Sequence, residues 1–396
     1  MKKYIKLKIL ILLFFATSAQ SQSLDDLMEM AIKTHPSLRV AELKIKQQEI
    51  LKNSGFELQP TDFYYTGQAL GYANDNRQHD FGVSQSFELP KVYQAKNALI
   101  DAETELVKQE KVLTEVELKK MVAQLYWQVV ATYQQQQIYA TLDTFYTDFI
   151  KLAALRVETG ETNKLELLRV ETSVKNWQIK KNEAAKRYEL AQRQLAYLLG
   201  RDNWLDIKIM ELQQLSIDLP EVNAANHPLM QYYEQQKNVA AKQVTIEENA
   251  LSPTFNVGYA SQIFNGNAGL NLVQVGVGIP LHRKPQEQRI EAAKVAASII
   301  SAKAETDKFL LENEWKLALA KLEIIDGQIF SINRLLMDNL LESIGLAKKG
   351  YEGGELPYFE YLAIIEQVIS AEIEKISLTQ QYNEVVILVN YGLGVK

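Results

Sequence analysis

The chain is written twice, and that duplication limits its fold more than any other feature of the sequence. "THPSL" at 34–38 returns as "NHPLM" at 226–230, Pro60 as Pro253, "FELP" ending at Pro90 as "VGIP" ending at Pro280. "VETGETNKLELL" (157–168) returns as "YEGGELPYFEYL" (351–362), and "AYLLG" ending at Gly200 as "NYGLG" ending at Gly394. The offset stays between 190 and 194, so two copies of one unit follow each other. The first repeat covers 22–200 and the second 227–396, joined by a non-repeated segment, 201–226.

Each unit reads as a short helix, two strands, a very long helix, a turn and a medium helix. The short helices start after His35-Pro36 and His227-Pro228, where proline suits the first helical position. The strands are expected at 61–71 and 79–89, then at 254–264 and 270–279. In the last of these Val273, Val275, Val277 and Ile279 alternate with Leu272, Gln274, Gly276 and Gly278, so one face is β-branched and apolar and the other mostly small or polar. The loops "YANDNRQH" and "FNGNAG" are turn chemistry. Leu118, Val122, Leu125 and Val129, then Ile138, Leu142, Phe145, Phe149 and Leu152, step by three and four as in a coiled coil; Leu322, Ile325, Ile329, Ile332 and Leu336 do so in the second copy. Such a helix of more than sixty residues is about 100 Å long. A local irregularity without a helix end is expected at "YQQQQIY" and at Gly327 and Gly345. The fold class is thus mainly α with a small β part.

The opening "MKKYIKLKILILLFFATSAQSQS" has the layout of a secretory signal peptide over 1–21, with cleavage near Ala19 to Ser21. Losing its four lysines takes the formal charge from −6 to −10, which argues against a nucleic-acid partner. Without cysteine there is no disulfide, thiolate metal site or lipidated N-terminal cysteine. No later apolar stretch is long enough for a helical membrane span, so a membrane could be entered only with strands. The strand candidates, roughly ten residues with one apolar face, have the length of transmembrane β-strands. Four cannot close a barrel, and lipid cannot satisfy open edges, so several copies must pool their strands. Each strand must then pass through a junction at Pro90 or Pro280 into a helix that leaves the membrane.

With its duplicated unit, the junctions "VSQSFELPKVYQAK" and "VGVGIPLHRKPQEQR", the two turn motifs and the Leu-Gly endings, the mature chain resembles the TolC family of outer-membrane efflux channels. The resemblance implies a homotrimer in outer-membrane lipid, with a twelve-stranded β-barrel continued by a periplasmic α-helical coiled-coil tunnel. It also implies docking on a periplasmic membrane-fusion adaptor that serves an inner-membrane RND-type pump. The "SQSFELP" junction is more similar to members that work with heavy-metal (Cus/Czc-type) pumps. Relatives usually have Asn-Pro where this chain has His35-Pro36 and His227-Pro228. The turns at Gly160 and at Gly353-Gly354, where reversal calls for positive φ, lie at the end farthest from the strands and are the expected adaptor contact. Glu166 and Glu360, each six residues beyond Gly160 and Gly354, are candidates for an acidic constriction; complementing the helix dipole on a solvated face is the alternative. In relatives the Glu360 position is an aspartate, and the second acidic residue one turn later is here Ala363.

An enzyme is not expected: the four histidines are scattered and no nucleophile elbow, metal-binding pair or phosphate loop occurs, so no cofactor or metal is assigned. A periplasmic adaptor and a structural coiled-coil protein are the competing readings. His35 and His227 could be metal ligands, but helix capping accounts for them. The methionines form no cluster. Phe63, Tyr65, Phe81, Phe87, Phe255 and Tyr259 are candidates for an interfacial aromatic girdle, with ordinary strand packing as the alternative.

Overall fold

In the computed structural model, residues 22–69, 77–202, 205, 207–217, 226–264, 266–336 and 341–393 are described. The leader, most of the β1–β2 loop, parts of the connecting segment and Gly394 lie outside these residues. The chain is mainly helical with one small sheet. It divides into two compact units, one made of 1–33, 121–214 and 327–383, the other of 34–120, 215–326 and 384–396.

The second unit holds all four strands: β1 (Asp62–Ala69), β2 (Arg77–Phe87), β3 (Thr254–Phe264) and β4 (Asn267–Gly278). They form one antiparallel sheet in the order β1-β2-β3-β4, and the β2–β3 pairing, Gln78↔Phe264 through Phe87↔Phe255, joins the repeats. β4 starts three residues before its expected start because the hairpin is tighter than "FNGNAG" suggests: Phe264 pairs with Asn267, and Gly266 just before Asn267 has φ +80°. A bulge at Gln262/Ile263 absorbs the register change.

The short helices of this unit, α2 (Pro36–Leu51) and α5 (Pro228–Asn249), are each capped by the preceding histidine. The Nδ1 atoms of His35 and His227 accept the N–H groups of Ser37 (3.3 Å) and Leu229 (3.1 Å). His227 is buried, and its Nε2 lies 2.9 Å from the Gly392 carbonyl; since Nδ1 accepts, Nε2–H donates and both ring nitrogens are used. Met230, Leu311, Ala318, Val389 and Leu393 form the core beneath this cap. Tyr233 ties α5 to the long helix α6 (Lys284–Leu335) by donating its hydroxyl to Asp307 at 2.5 Å.

The other unit begins with α1 (Leu24–Thr34), which lies ahead of the His35-Pro36 of the first repeated motif. Its signal is local: Ser23 Oγ accepts the Asp26 N–H while the Asp26 carboxylate accepts the Ser23 N–H, a reciprocal cap. The first long helix, α3 (Pro90–Glu158), belongs to this unit from Met121 onward, and its 69 residues pass through "YQQQQIY" without a break. Glutamine interrupts the apolar stripe there but is a good helix former. Its return helix is α4 (Lys164–Leu198).

In the second repeat α6 runs to Leu335 and α7 spans Leu341–Glu352, and the stretch that would join them into the expected single long helix, 337–340, lies outside the described residues. Gly327 and Gly345 are both helical, so neither glycine ends a helix. The last helix is α8 (Tyr358–Ile387). Residues 207–217 of the connecting segment form a strap outside the helices and strands. In the first unit Lys208 N–H donates to Gln22 O (3.0 Å), Tyr126 Oη–H to Lys208 O (2.8 Å) and the buried Asn383 to Gln213 O (2.9 Å).

Candidate functional site

The strand register sorts the sheet into two unlike faces. Direct cross-strand partners share a face, so Phe63–Val83–Tyr259–Val273 form one row and Phe87–Phe255–Val277 another on the same side. Tyr65, Phe81, Val257 and Val275 belong to that side too, and all six girdle candidates therefore fall on one face. These side chains stand in the open; Phe63 is 81% and Val275 71% exposed. The opposite face carries Thr66, Asp80, Ser84, Ser86, Asn256 and Gln274 with small Gly258 and Gly276. There Tyr64 lies over its partner Gly82, where a Cβ would come within 2.1 Å of the ring. Polar residues on the apolar side are His79, hydrogen-bonded to Tyr65 Oη at 2.7 Å, Gln85, Ser261 and Asn271, and apolar Leu270 and Leu272 lie on the polar side.

An isolated sheet would bury the face bearing Phe63, Val83, Tyr259 and Val273 and wet the other. Here the apolar face is uncovered. Among the described residues β1 and β4 also pair on one side only, so each presents a row of backbone donors and acceptors.

The junctions differ. β2 ends at Phe87 and α3 begins at Pro90, a two-residue link, whereas β4 ends at Gly278 and α6 begins at Lys284. Pro90 is therefore the first residue of its helix, while Pro280 lies in a five-residue link and Pro285 takes the early helical position. The two strand-to-helix passages are thus not equivalent.

The two turns of the other unit repeat each other bond for bond. Thr159, Gly160, Glu161 and Thr162 donate to the carbonyls of Leu155, Val157, Arg156 and Arg156; Gly353, Gly354, Glu355 and Leu356 donate to those of Lys349, Tyr351, Gly350 and Gly350. Gly160 and Gly354 both have φ +76°. Gly353 does not share this conformation, which corrects its assignment as a positive-φ residue; its constraint is space, since a Cβ would meet Lys349 O at 3.3 Å. The turns adjoin: the Arg156 guanidinium lies 5.1 Å from the Tyr351 ring centre, and a Cβ on Gly354 would be 3.7 Å from Arg156 Nη2.

Glu166 and Glu360 occupy equivalent positions but different surroundings. Asn163 caps α4 by accepting the Glu166 N–H at 3.1 Å, and the half-buried Glu166 carboxylate accepts the Thr162 hydroxyl. At the position equivalent to Asn163 stands Pro357, which has no side-chain acceptor, and Glu360 is exposed in the first turn of α8 beside exposed Ala363. Glu166 thus serves its own helix end, and Glu360 is the carboxylate free of that task.

Beneath the turns is an aromatic core that the stripe analysis did not single out. Phe149 lies 5.0–5.2 Å from Tyr351, Tyr358 and Tyr361, and Trp177 lies 4.9 Å from Tyr139 and Tyr146. Burial holds the hydroxyls of Tyr146 and Tyr358 above the usual phenol range, so they stay neutral. The spacing of Tyr358 and Tyr361, three apart on one helix face, is the signal that could have exposed this cluster.

No protein-family model and no curated protein matches the chain. Solved structures do. CusC, crystallised in a study of folding and transmembrane channel formation, superposes with a TM-score of 0.78 at 18% identity, over 95% of this chain and 92% of its own. The outer-membrane channel OprN gives 0.79 at 17% identity over 94% and 90%. The Campylobacter jejuni CmeC outer membrane channel gives 0.77 at 14% identity over 94% and 86%. The chain has the fold of these outer-membrane channels.

Proposed function

We propose that this chain is the outer-membrane channel of a tripartite efflux system. The observation that carries the reading is the sheet with an uncovered apolar face, a polar opposite face and two half-paired edges. That arrangement suits a closed transmembrane barrel, with apolar side chains toward lipid and polar ones toward a water-filled lumen. Three copies supply twelve strands, enough for closure. The aromatic residues of the apolar face then face lipid, and the helices form the periplasmic tunnel. A periplasmic adaptor or a coiled-coil scaffold would have no use for a sheet whose apolar side is left bare.

In this reading the export signal delivers the chain to the outer membrane, and the paired turns at Gly160 and Gly353-Gly354 receive a periplasmic adaptor linked to an inner-membrane pump. Glu360 lines the constriction, three copies giving a ring of carboxylates that favours cations. Similarity gives the Cus/Czc-type branch no preference, because CusC at 0.78 and OprN at 0.79 fit equally well.

Reconstitution in planar lipid bilayers tests this reading. The protein should conduct ions with cation preference and be blocked by multivalent cations; Glu360→Ala should weaken both effects and Glu166→Ala should do so less. Gly354→Val should keep the conductance but abolish export in cells. A protein that inserts without conducting would overturn the channel reading, and unchanged selectivity in Glu360→Ala would remove the gate.

A further inference from the structure

The second strand-to-helix link carries a feature that the first lacks. In the first link Glu88 is tied down: Lys96 Nζ lies 2.6 Å from its carboxylate, and its N–H donates to Tyr93 Oη at 3.1 Å. The second link, 279–283, extends the outward alternation of Val273, Val275 and Val277 beyond the strand through Ile279 and Leu281. Ile279 is 64% exposed, and Leu281, at 90%, is the most exposed large apolar residue among those described. Directly behind it stand His282, Arg283 and Lys284, all exposed. Among the described residues none of the three is held in an ion pair. Glu287 is the only carboxylate between Thr254 and Arg289.

Water serves this segment badly twice over, leaving an apolar side chain uncovered and adjacent cations uncompensated. One environment serves both: the boundary where hydrocarbon meets anionic headgroups. A free phosphate would account for the cations alone and would leave Ile279 and Leu281 unexplained.

We infer that the Ile279–Lys284 link is a lipid anchor, with Ile279 and Leu281 set in the edge of the hydrocarbon and Arg283 and Lys284 paired with the phosphates of anionic phospholipid where β4 leaves the membrane. The inference rests on the proposal that β4 spans a membrane. A cation near an anionic membrane surface strengthens binding roughly fivefold, so the pair gives a preference of roughly 25-fold for anionic over zwitterionic lipid.

Native mass spectrometry of the detergent-purified protein, titrated with phosphatidylglycerol or phosphatidylcholine of equal chain length, reads this directly. Phosphatidylglycerol should be retained at roughly 25-fold lower concentration. The double variant Arg283→Gln, Lys284→Gln should bring it to the level of phosphatidylcholine without changing assembly, and Leu281→Ser should weaken both lipids alike. Equal retention by the unaltered protein, no effect of the double variant, or displacement by millimolar inorganic phosphate would each overturn the anchor. A protein soluble without detergent would remove the channel reading and the anchor together, whereas a detergent-requiring protein indifferent to phosphatidylglycerol would overturn the anchor alone.

Discussion

Residues at equivalent repeat positions have diverged in what they do, and their local bonds say how. His35 and His227 both cap a helix, but His227 also uses Nε2 to hold the Gly392 carbonyl, so it fastens the chain's end to α5. Tyr233 is another fastening, with a pH signature. Its hydrogen bond to Asp307, chiefly, and then its burial push the phenol pKa up to about 12 from the usual 10. A phenol whose pKa is raised in the folded state contributes fully below the unfolded value and loses that contribution as pH rises through the folded value. Thermal melts in detergent should therefore show a component lost between about pH 10 and 12 that Tyr233→Phe lacks, with the variant less stable at pH 8 by about 1 kcal/mol after allowing for solvent. Parallel pH profiles for both proteins would show that the bond contributes nothing.

At the scale of elements, the two-face sheet was legible from alternation alone, since Val273, Val275 and Val277 fix the parity of β4. The pairing partner was not: that β2 meets β3 across the repeat boundary is a long-range register no local pattern encodes. The turns were legible through their glycines. Pro357, in place of the Asn163 cap, distinguishes Glu360 from Glu166 only once the cap geometry is known. α1 was missed because it lies ahead of the His35-Pro36 of the first repeated motif, and the strap because it belongs to the non-repeated segment, whereas Gly327 and Gly345, the suspected irregularities, are both helical. Substitutions of opposite parity test the faces. Val275→Arg puts a charge on the apolar side at a cost of about 2–4 kcal/mol at mid-membrane depth and should deplete the protein from the outer-membrane fraction. Gln274→Arg, one residue away on the polar side, should accumulate normally. Equal depletion in both would show that the faces are not lipid and lumen.

For the whole molecule, the half-paired β1 and β4 edges and the bare apolar face call for more than one chain if the sheet spans a membrane, as proposed. Lipid offers no hydrogen bonds to an open edge, and the penalty of several kcal/mol for each unsatisfied backbone group would prevent a single inserted copy from being stable. In the proposed channel, pairing β1 of one copy with β4 of the next would remove both edges, and three copies would close the barrel at twelve strands. Native mass spectrometry of the detergent-solubilised protein tests that claim most directly: the account predicts three copies of the chain in one particle, and a folded single chain as the stable species would contradict it.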